Sequence, residues 1–536
     1  MTTRREFVAT SGALMLCAEG SPAVFRRKEH DLVIRGGMVY DGTGAEGTVL
    51  DVALAGGRIA EIARQISSHG REEIDARGLA VAPGFIDIHS HGDGNMNDDP
   101  RVESVIRQGV TTMVVGADGS SNATGSPRKS FASYFASVDK LAPGPNVASM
   151  VGLGEIRGEV VGDVDRPATT DELKAMTAMV ENALRDGACG ASSGLEYTPG
   201  AFASQDELIA LCRPLACRRL PYATHMRNED DRVIEAIDES IAVARGAGCP
   251  LQISHLKTQG PRNWPRLDKV FLLVEAARAA RTDVAFDRYP YVAYATGLTN
   301  LFPVWSRDGG IDGFFARLDD SSVAPRIRKE MLAKVELIGG WDNVQISGVK
   351  AVEDRDAEGK RLGAYASSRG LNPFDAAVGL LRRSHGSVGM LGYAMSEDNL
   401  ERILAHPFGM VCSDGGGFAI DGPTRRGSPH PRGAGTFPRI LARYVRERKA
   451  LTLPQAIRKM TSLPASRVHL RDRGRLAAGL AADVVVFDPA TVADKATFDA
   501  PFQYPSGIPI VIVNGAVALR DGQRSASGSG RAIRAS

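Results

Sequence analysis

The sequence lacks the features that assign a chain to a specialised class. Its 65 Lys and Arg residues nearly balance 63 Asp and Glu residues, which leaves a formal net charge of +2. Such a balance predicts no binding surface for nucleic acid or anionic lipid. No internal repeat is visible, and the 43% hydrophobic and 24% charged residues are typical of a globular protein. At 536 residues, we expect more than one structural unit.

Cysteine is also scarce. The six cysteines are scattered and contain no C-x-x-C pair; they are Cys17, Cys189, Cys212, Cys217, Cys249 and Cys412. This scatter indicates neither a zinc knuckle nor a disulfide scaffold. We expect most of these residues to be small buried hydrophobes.

The N-terminus has an apolar run, residues 8–18, that is too short to span a bilayer. Arg4 and Arg5 precede it and small residues follow it, which resembles a twin-arginine export signal. We therefore predict that residues 1–28 direct the folded protein to the periplasm. The alternative is a frayed N-terminus on a cytoplasmic protein. Lipidation of Cys17 is less favoured, because the bulky Leu16 precedes it.

Both ends of the chain are predicted to form strands. Residues 29–82 and 466–520 contain short alternating runs with glycine turns. Neither end has enough strands to bury a face alone, so we predict that they pair into one small β-sandwich domain. The Ser/Gly-rich residues 521–536 are predicted to be a disordered tail.

Residues 83–465 alternate apolar strands with helices, which predicts an α/β fold with a parallel sheet. Eight such strands indicate a (β/α)₈ TIM-like barrel, whose active groups lie at the carboxyl ends of the strands. The predicted strand ends are His91, Asp118, Arg157, Tyr197, His225, His255, Tyr289 and Asp414. The connection between strands 7 and 8, residues 292–408, is long enough to be a lid.

The stretch VAPGFIDIHSHGD, residues 81–93, carries the first chemical signal. Side chains two apart on a strand point the same way, so His89 and His91 face one side. Two imidazoles aimed at one point suit a metal such as zinc. Three further side chains end other strands at the same rim of the predicted barrel, namely His225, His255 and Asp414.

Longer motifs carry a family resemblance over nearly the whole chain after residue 28. They are APGFIDIHSHGD, SSGLEYTPG, THMRNE, ISHLK, DRYPY, SDGGG, HPRGAGTFPRIL and GRLAAGLAADVVVFDP. With them the chain resembles the amidohydrolase superfamily, and within it the N-acyl-D-amino-acid deacylases, also called D-aminoacylases. The resemblance implies a small N-acyl amino acid as substrate and one or two Zn²⁺ ions per chain. It alone implies D stereochemistry.

The resemblance also implies a ligand set. His89, His91 and Asp414 look like ligands of one metal position, and His225 and His255 of the other. Where the family has a bridging cysteine, this sequence has Asp118, whose carboxylate is harder than a thiolate and favours zinc less strongly. Glu155 and Cys189 are fallback ligands. Leu153 occupies a place where relatives often have histidine, so a polar role is lost there.

The mechanism expected from this set is amide hydrolysis. A divalent metal activates water and polarises the carbonyl. Asp414 can take the proton from that water and give it to the departing amine, although the alternative role is that of a ligand only. Lys257 and Arg432, with a hydroxyl of Tyr289 or Tyr291, are candidates to bind the substrate carboxylate. The assignment of Arg227 is weaker, and Ser192 and Ser193 have no nucleophile-elbow context.

Two other functions stay open. A cyclic-amide hydrolase of the dihydroorotase or hydantoinase type resembles this barrel, but it usually has a carboxylated lysine on strand 4, where this chain has ACGASSGLEY. A catalytically silent exported binding protein could use the same fold. We predict neither a nucleic-acid partner nor stable membrane insertion. The sequence does not assign the oligomeric state, the acyl group or the side chain accepted.

Overall fold

The computed structural model describes residues 30–525 and 528–535. The predicted export signal therefore lies outside the described residues. The strands of the described chain are β1 His30–Val39, β2 Thr48–Ala55, β3 Arg58–Ala63, β4 Gly70–Asp75, β5 Ala80–Pro83, β6 Phe85–Asp87, β7 Val110–Val115, β8 Asn146–Ser149, β9 Val151–Gly152, β10 Ala191–Gly194, β11 Tyr222–His225, β12 Leu251–Ile253, β13 Val284–Arg288, β14 Ala293–Gly297, β15 Val344–Val349, β16 Val388–Tyr393, β17 Gly409–Val411, β18 Val484–Phe487, β19 Ile510–Val513, β20 Ala516–Arg520 and β21 Gln523–Arg524.

The helices connect these strands. They are α1 Glu103–Ile106, α2 Phe131–Leu141, α3 Leu153–Val160, α4 Thr170–Asp186, α5 Gln205–Ala216, α6 Val233–Ala247, α7 Leu267–Ala279, α8 Gly310–Asp319, α9 Ala324–Leu337, α10 Leu362–Ser368, α11 Pro373–Arg383, α12 Glu397–Ala405, α13 Arg432–Arg439, α14 Leu453–Met460 and α15 Ser462–Arg467. In the part of the chain that the structure describes, none of these helices combines the length and the apolar character that a bilayer crossing requires.

The two chain ends pair with each other, as the sequence predicts. Strand β18 lies antiparallel to β5, and hydrogen bonds join nine strands into one sheet in the order β21-β20-β19-β18-β5-β1-β2-β3, with β4 beside β1. Its apolar core contains residues from both ends, including Ile34, Val52, Val484 and Ile512. Neither end could bury this surface without the other.

The predicted barrel is confirmed. Strands β6, β7 and β8 are parallel neighbours, and a second parallel series runs β9-β10-β11-β12-β13-β17. Only Met150 separates β8 from β9, so together they form one strand position. The ring closes beyond β17, where Asp414 N donates to His89 O at 2.8 Å and His91 N donates to Gly415 O at 3.0 Å. Eight strand positions therefore surround the barrel core.

Of the eight predicted strand ends, only His225 coincides with the observed one; the others lie one to five residues beyond the end of the strand, and the offset is largest at the third strand. The third strand ends at Gly152, and Arg157 lies in α3, where Nη1 is 2.6 Å from Glu207 Oε2. The fourth strand ends at Gly194, three residues before Tyr197. In a run of apolar residues, the sequence pattern does not show where a buried strand ends and a buried loop or helix begins. The end of such a strand is therefore predicted too late.

The long connection between β13 and β17 folds as a unit over the barrel. Strands β14, β16 and β15 form a small antiparallel sheet, and helices α8 to α11 surround it. Its first segment, residues 294–300, contributes side chains to the cavity at the carboxyl ends of the barrel strands. This position is the one predicted for a lid.

The C-terminal tail is ordered where it is described, so the predicted disorder is wrong for residues 528–535. Ile533 N donates to Val147 O at 2.8 Å, and Ala535 N donates to Gly187 O at 3.0 Å. The Ala532 and Ile533 side chains are buried against the barrel. The tail is rich in Ser and Gly, which predicts disorder, but this short apolar pair and the backbone hydrogen bonds hold it against the barrel.

Candidate active site

Four metal-ligating side chains meet at the end of β6. His89 Nε2 lies 3.3 Å from Asp118 Oδ2 and 3.4 Å from Asp414 Oδ1. His91 Nε2 lies 3.5 Å and 3.2 Å from the same two oxygen atoms. All four ligand atoms are within 4.8 Å of one another. The common barrel rim brings them together, as the sequence predicts, but β6 ends at Asp87, so His89 and His91 lie in the segment after the strand and not on its alternating face.

Asp118 joins this group to a second one. Its Oδ2 also lies 3.5 Å from His255 Nε2, and His255 Nε2 is 2.9 Å from His225 Nδ1. Asp118, His225 and His255 offer three ligand atoms within 4.8 Å of one another. One carboxylate oxygen is therefore shared by both groups, at the place where the resemblance implies a bridging ligand.

The chemistry of these atoms fits a divalent cation. Among the described residues, three buried atoms in this cluster have no hydrogen-bond partner, namely His89 Nε2, Asp118 Oδ1 and His225 Nε2. A buried polar atom without a partner is costly, and a cation bound beside Asp118 would supply the partner that His89 Nε2 lacks. His225 Nε2 faces Glu196 Oε2 instead, at 3.5 Å. Imidazole nitrogen and carboxylate oxygen are ordinary ligands of zinc.

The local charges keep both aspartates ionised. Burial raises the pKa of the Asp118 carboxyl, but His89 and His255 outweigh it, and the pKa falls well below its ordinary value. Burial likewise raises the pKa of Asp414, and the positive charges of Arg432 and His89 then lower it well below the ordinary value. The carboxylate form is the one that binds a cation.

Three of these residues have a strained backbone. Asp118 has φ 51°, His255 φ 36° and Asp414 φ 49°, all in the left-handed region that residues other than glycine seldom adopt. Such strain costs about 1–3 kcal/mol per residue and concentrates at functional sites. Ser192 fixes the loop of Asp118, because its Oγ donates to Gly116 O at 2.6 Å and accepts from Gly119 N at 3.0 Å. Ser192 is thus a support of this loop.

Two carboxylates that the sequence analysis missed orient the histidines. Glu229 accepts from Lys257 Nζ at 2.6 Å and lies 3.1 Å from His255 Nδ1. Asp287 Oδ1 lies 3.4 Å from His89 Nδ1. By engaging Nδ1, each carboxylate leaves Nε2 of its histidine facing the common point. Glu229 lies in THMRNE and Asp287 in a buried strand, where a charged residue is itself a signal.

The predicted carboxylate-binding residues lie beside this centre. Arg432 Nη1 is 2.8 Å from Asp414 Oδ2, while its Nε has no hydrogen-bond partner among the described residues. The guanidinium lies over the Tyr289 ring, 4.6 Å from its centroid. Lys257 is 2% exposed, and its Nζ also lies 2.7 Å from His255 Nδ1. These three residues line a cavity of about 330 Å³, and five residues of the candidate ligand set line it with them, namely His91, Asp118, His225, His255 and Asp414.

Tyr291 does not line this cavity, which corrects its assignment. Its ring packs edge-on against His430 at 5.1 Å and against Phe498 at 6.1 Å. Strand β13 ends at Arg288, so the alternation of a strand no longer applies to residues 289 and 291. Tyr289 is the tyrosine of DRYPY that faces the site.

Other residues singled out in the sequence have structural partners. Arg227 binds Glu239 through Nε and Nη2, at 2.9–3.1 Å. Ser193 Oγ lies 2.7 Å from the Tyr222 hydroxyl. We find no serine of SSGLEY among the residues that line the described cavity.

Neither fallback ligand joins the cluster. Glu155 Oε1 lies 3.2 Å from Lys129 Nζ, and no group of metal-ligating atoms found in residues 30–525 and 528–535 includes it or Cys189. Cys189 is buried, which raises the pKa of its thiol to about 12. Leu153 is buried in the apolar core.

Known proteins resemble both the sequence and this site's scaffold. Residues 72–289 and 417–519 match the model of the Amidohydrolase family. N-acyl-D-glutamate deacylase of Alcaligenes xylosoxydans xylosoxydans is 38% identical, over 90% of this chain and 93% of its own. The crystal structure of N-acyl-D-glutamate deacylase from Bordetella bronchiseptica, complexed with zinc and a phosphonate inhibitor that mimics the tetrahedral intermediate, is 36% identical. It has a TM-score of 0.81 and covers 95% of this chain and 100% of its own.

A second solved protein bears on the metal. A D-aminoacylase structure that addresses the functional role of its binuclear metal center is 35% identical, with a TM-score of 0.80, and covers 94% of this chain and 100% of its own. The match extends over both the sheet domain and the barrel. This chain therefore belongs to the amidohydrolase family, among the N-acyl-D-amino-acid deacylases, and is a hydrolase of carbon–nitrogen bonds other than peptide bonds.

Proposed function

We propose that this protein is a zinc-dependent hydrolase that cleaves the amide bond of N-acyl-D-amino acids to a carboxylate and a free D-amino acid. The observation that carries the proposal is the convergence of the two ligand groups on Asp118 Oδ2, next to the ion pair of Asp414 and Arg432. Four imidazoles and two carboxylates supply enough ligands for one or two ions.

The bound zinc would activate a water molecule and polarise the amide carbonyl. Asp414 would act as the general base that accepts a proton from this water through Oδ1, the oxygen that faces His89 and His91. It would then donate that proton to the departing amine nitrogen. Arg432, beside Oδ2, would hold the carboxylate in the orientation that both transfers require.

The α-carboxylate of the substrate is assigned to Lys257, Tyr289 and Arg432. Arg432 presents a planar fork, whose Nε has no hydrogen-bond partner among the described residues. The Tyr289 hydroxyl is also buried without a partner in the described chain. Two unsatisfied donors beside a buried lysine favour an anionic ligand at this end of the cavity.

The cyclic-amide alternative is less well supported. Strand β10, Ala191–Gly194, consists of alanine, serine and glycine, so it offers no lysine for carboxylation. The silent-binder alternative does not require the strained backbone at Asp118, His255 and Asp414.

We also propose export through the twin-arginine pathway. Arg4 and Arg5 followed by a short apolar run support it. Fractionation of bacterial cells should find the wild-type chain in the periplasm and the Arg4→Lys/Arg5→Lys double variant in the cytoplasm. Equal distribution of the two proteins would contradict an export role for this pair.

A hydrolysis screen tests the proposed reaction. N-acetyl-D- and N-acetyl-L-amino acids are incubated with the purified protein before and after chelation, with and without added zinc. We expect free amine to form from the D series only, and only in the presence of metal. Hydrolysis of cyclic amides in place of linear ones, or no turnover with zinc, would overturn the proposal.

A further inference from the structure

Two adjoining cavities lie at the amino ends of the barrel strands, on the face opposite the ligand cluster. The first measures about 620 Å³ and extends from Thr43, in the loop after β1, to the segment that follows α15. The second measures about 520 Å³, and its walls include the residues that immediately precede β12, β13 and β17. Both cavities are lined by Arg458, Leu463, Ser466 and His469, so we treat them as one basal cleft. The proposed hydrolysis does not use this cleft.

The walls of the basal cleft are strongly positive. Its cationic or titratable nitrogen groups belong to Arg219, Arg278, Arg458, Arg467, Arg471, Arg473, Arg475 and His469. Asp283 is the one carboxylate on these walls in residues 30–525 and 528–535. Its Oδ1 lies 3.1 Å from Arg278 Nη1, and its Oδ2 lies 3.1 Å from Arg467 Nη1. Two arginines therefore share this carboxylate, and it compensates none of the others.

Four arginines of the basal cleft make no hydrogen bond or ion pair through their side chains within the described chain. They are Arg219, Arg458, Arg471 and Arg475, and all four are exposed. Arg473 differs from them, because it is buried and forms ion pairs with Asp472 and Asp483. Arg473 thus has a structural role, whereas no polar contact among the described residues accounts for the other four.

The fold brings these charges to one place from distant parts of the chain. His469 is half-buried in the cleft, and burial lowers the pKa of its imidazole below the ordinary value. The positive charges of Arg471, Arg219 and Arg467 lower that pKa further. Like charges held together without a counter-ion destabilise a compact state. The amino-terminal face of such a barrel usually contributes stability, so this arrangement needs another explanation.

We propose that the basal cleft binds a small multivalent phosphate anion. Arg458 lies where the two cavities meet, with Arg219 on one side and Arg471 and Arg475 on the other. A guanidinium group is a planar fork that binds two phosphate oxygens at once. Several such groups in one cleft favour an anion with more than one charge over a single carboxylate. A concave space of this size suits a soluble ligand better than a layer of lipid headgroups.

The first test locates the ligand on the wild-type, zinc-loaded protein. Phenylglyoxal modifies exposed arginines, and mass spectrometry of peptides gives the rate at each position. The probe is inorganic pyrophosphate with excess magnesium, because the free anion would withdraw zinc. At roughly ten times its Kd, we expect the probe to slow modification of Arg458, Arg471 and Arg475 roughly tenfold. Arg64 and Arg355 are exposed but lie outside the cleft, so their rates should not change.

The second test measures the affinity for pyrophosphate by isothermal titration calorimetry. Arg458→Gln/Arg471→Gln removes two positive charges from the cleft, so Kd should rise roughly tenfold or more. The matched control, Arg64→Gln/Arg355→Gln, removes the same charge elsewhere and should bind as the wild type does. Circular dichroism checks that both variants are folded. Pyrophosphate bound at the ligand cluster would be retained equally by the two variants, so their difference reports only on the basal cleft.

Three results would overturn the inference. The first is no binding of pyrophosphate to the wild type at roughly millimolar concentration. The second is an equal Kd in the two double variants, or equal modification of the cleft arginines with and without the probe. The third is binding to phosphatidylglycerol vesicles without binding of pyrophosphate, which would assign these arginines to a lipid surface. None of these results bears on the proposed hydrolysis, whose residues lie at the opposite ends of the strands.

Discussion

Arg432 Nη1 lies 2.8 Å from Asp414 Oδ2, and both side chains are buried. The other oxygen of Asp414 faces His89 and His91. The Asp414 carboxylate thus directs one oxygen to the ligand cluster and the other to the Arg432 guanidinium, which is proposed to bind the substrate. A change at either residue should therefore affect catalysis and substrate binding in separable ways.

The first prediction concerns Asp414. Asp414→Asn keeps the size of the side chain but removes the proton acceptor, so kcat should fall by roughly 10²–10⁴-fold. Turnover of an N-acetyl-D-amino acid measures the effect, and the circular dichroism spectrum checks that the fold is retained. Turnover near the wild-type value would show that Asp414 is not the base.

The second prediction separates the two contacts of Arg432. Arg432→Ala should reduce kcat/KM for free-acid substrates far more than for the corresponding α-amides, because only the free acids carry the carboxylate that the guanidinium binds. A difference of roughly tenfold or more corresponds to the loss of a charged hydrogen bond. Equal losses of kcat/KM on the acids and the amides would show that Arg432 acts only through its ion pair with Asp414 and does not bind the substrate carboxylate.

The third prediction concerns the shared ligand. Asp118→Cys replaces a hard carboxylate oxygen with a soft thiolate, so affinity for zinc should rise relative to affinity for manganese, by roughly tenfold. Competition between the two ions, read by metal analysis after dialysis, measures the change. Asp118→Asn is the control, since it keeps the shape and removes the charge, and it should weaken binding of both ions. An unchanged selectivity in Asp118→Cys would place residue 118 outside the coordination sphere.

The fourth prediction concerns a buried lysine that is remote from the ligand cluster. Lys459 Nζ donates to Gly409 O at 2.8 Å and to His406 O, and burial lowers its pKa to about 8. The folded protein therefore releases this proton near pH 8, whereas the unfolded chain retains it up to its ordinary pKa. Protonation of Lys459 therefore lowers the free energy of unfolding, because the unfolded chain binds this proton more tightly. The free energy of unfolding is highest above the unfolded pKa and falls as the pH falls to about 8.

Relative to Lys459→Met, the wild-type free energy of unfolding should consequently rise between pH 8 and pH 10.5, by up to about 3 kcal/mol. Urea denaturation of both proteins at pH 7.5 and pH 10 measures the difference. A constant difference between wild type and variant at the two pH values would show that Lys459 titrates in the folded protein as it does in the unfolded chain.

The sequence predicts the site better than the boundaries around it. His89, His91, His225, His255 and Asp414 could be placed together because carboxyl ends of parallel strands meet at one rim. That argument needs only the order of strands, and it tolerates an error of several residues in their length. The same tolerance explains why the misplaced end of the third strand did not disturb the predicted ligand set.

Contacts that depend on tertiary distance could not be read from the sequence. Glu229 was visible in THMRNE, but its position between Lys257 and His255 follows from how two loops pack. Tyr289 and Tyr291 are equivalent candidates in the sequence, and only the tertiary structure shows that Tyr289 lines the cavity while Tyr291 packs against His430 and Phe498. Composition predicts disorder for the tail that contains Ile533, because composition does not detect a single short segment that packs against β8.

We attribute amide cleavage to a metal that the imidazoles and carboxylates around Asp118 hold. The most direct measurement is metal content, by inductively coupled plasma mass spectrometry, on the same samples used for deacylase assays. We predict one or two zinc ions per active chain, loss of activity on their removal by chelation, and recovery on their return. Full hydrolysis of N-acetyl-D-amino acids by chains that contain less than stoichiometric metal would show that cleavage does not depend on this metal.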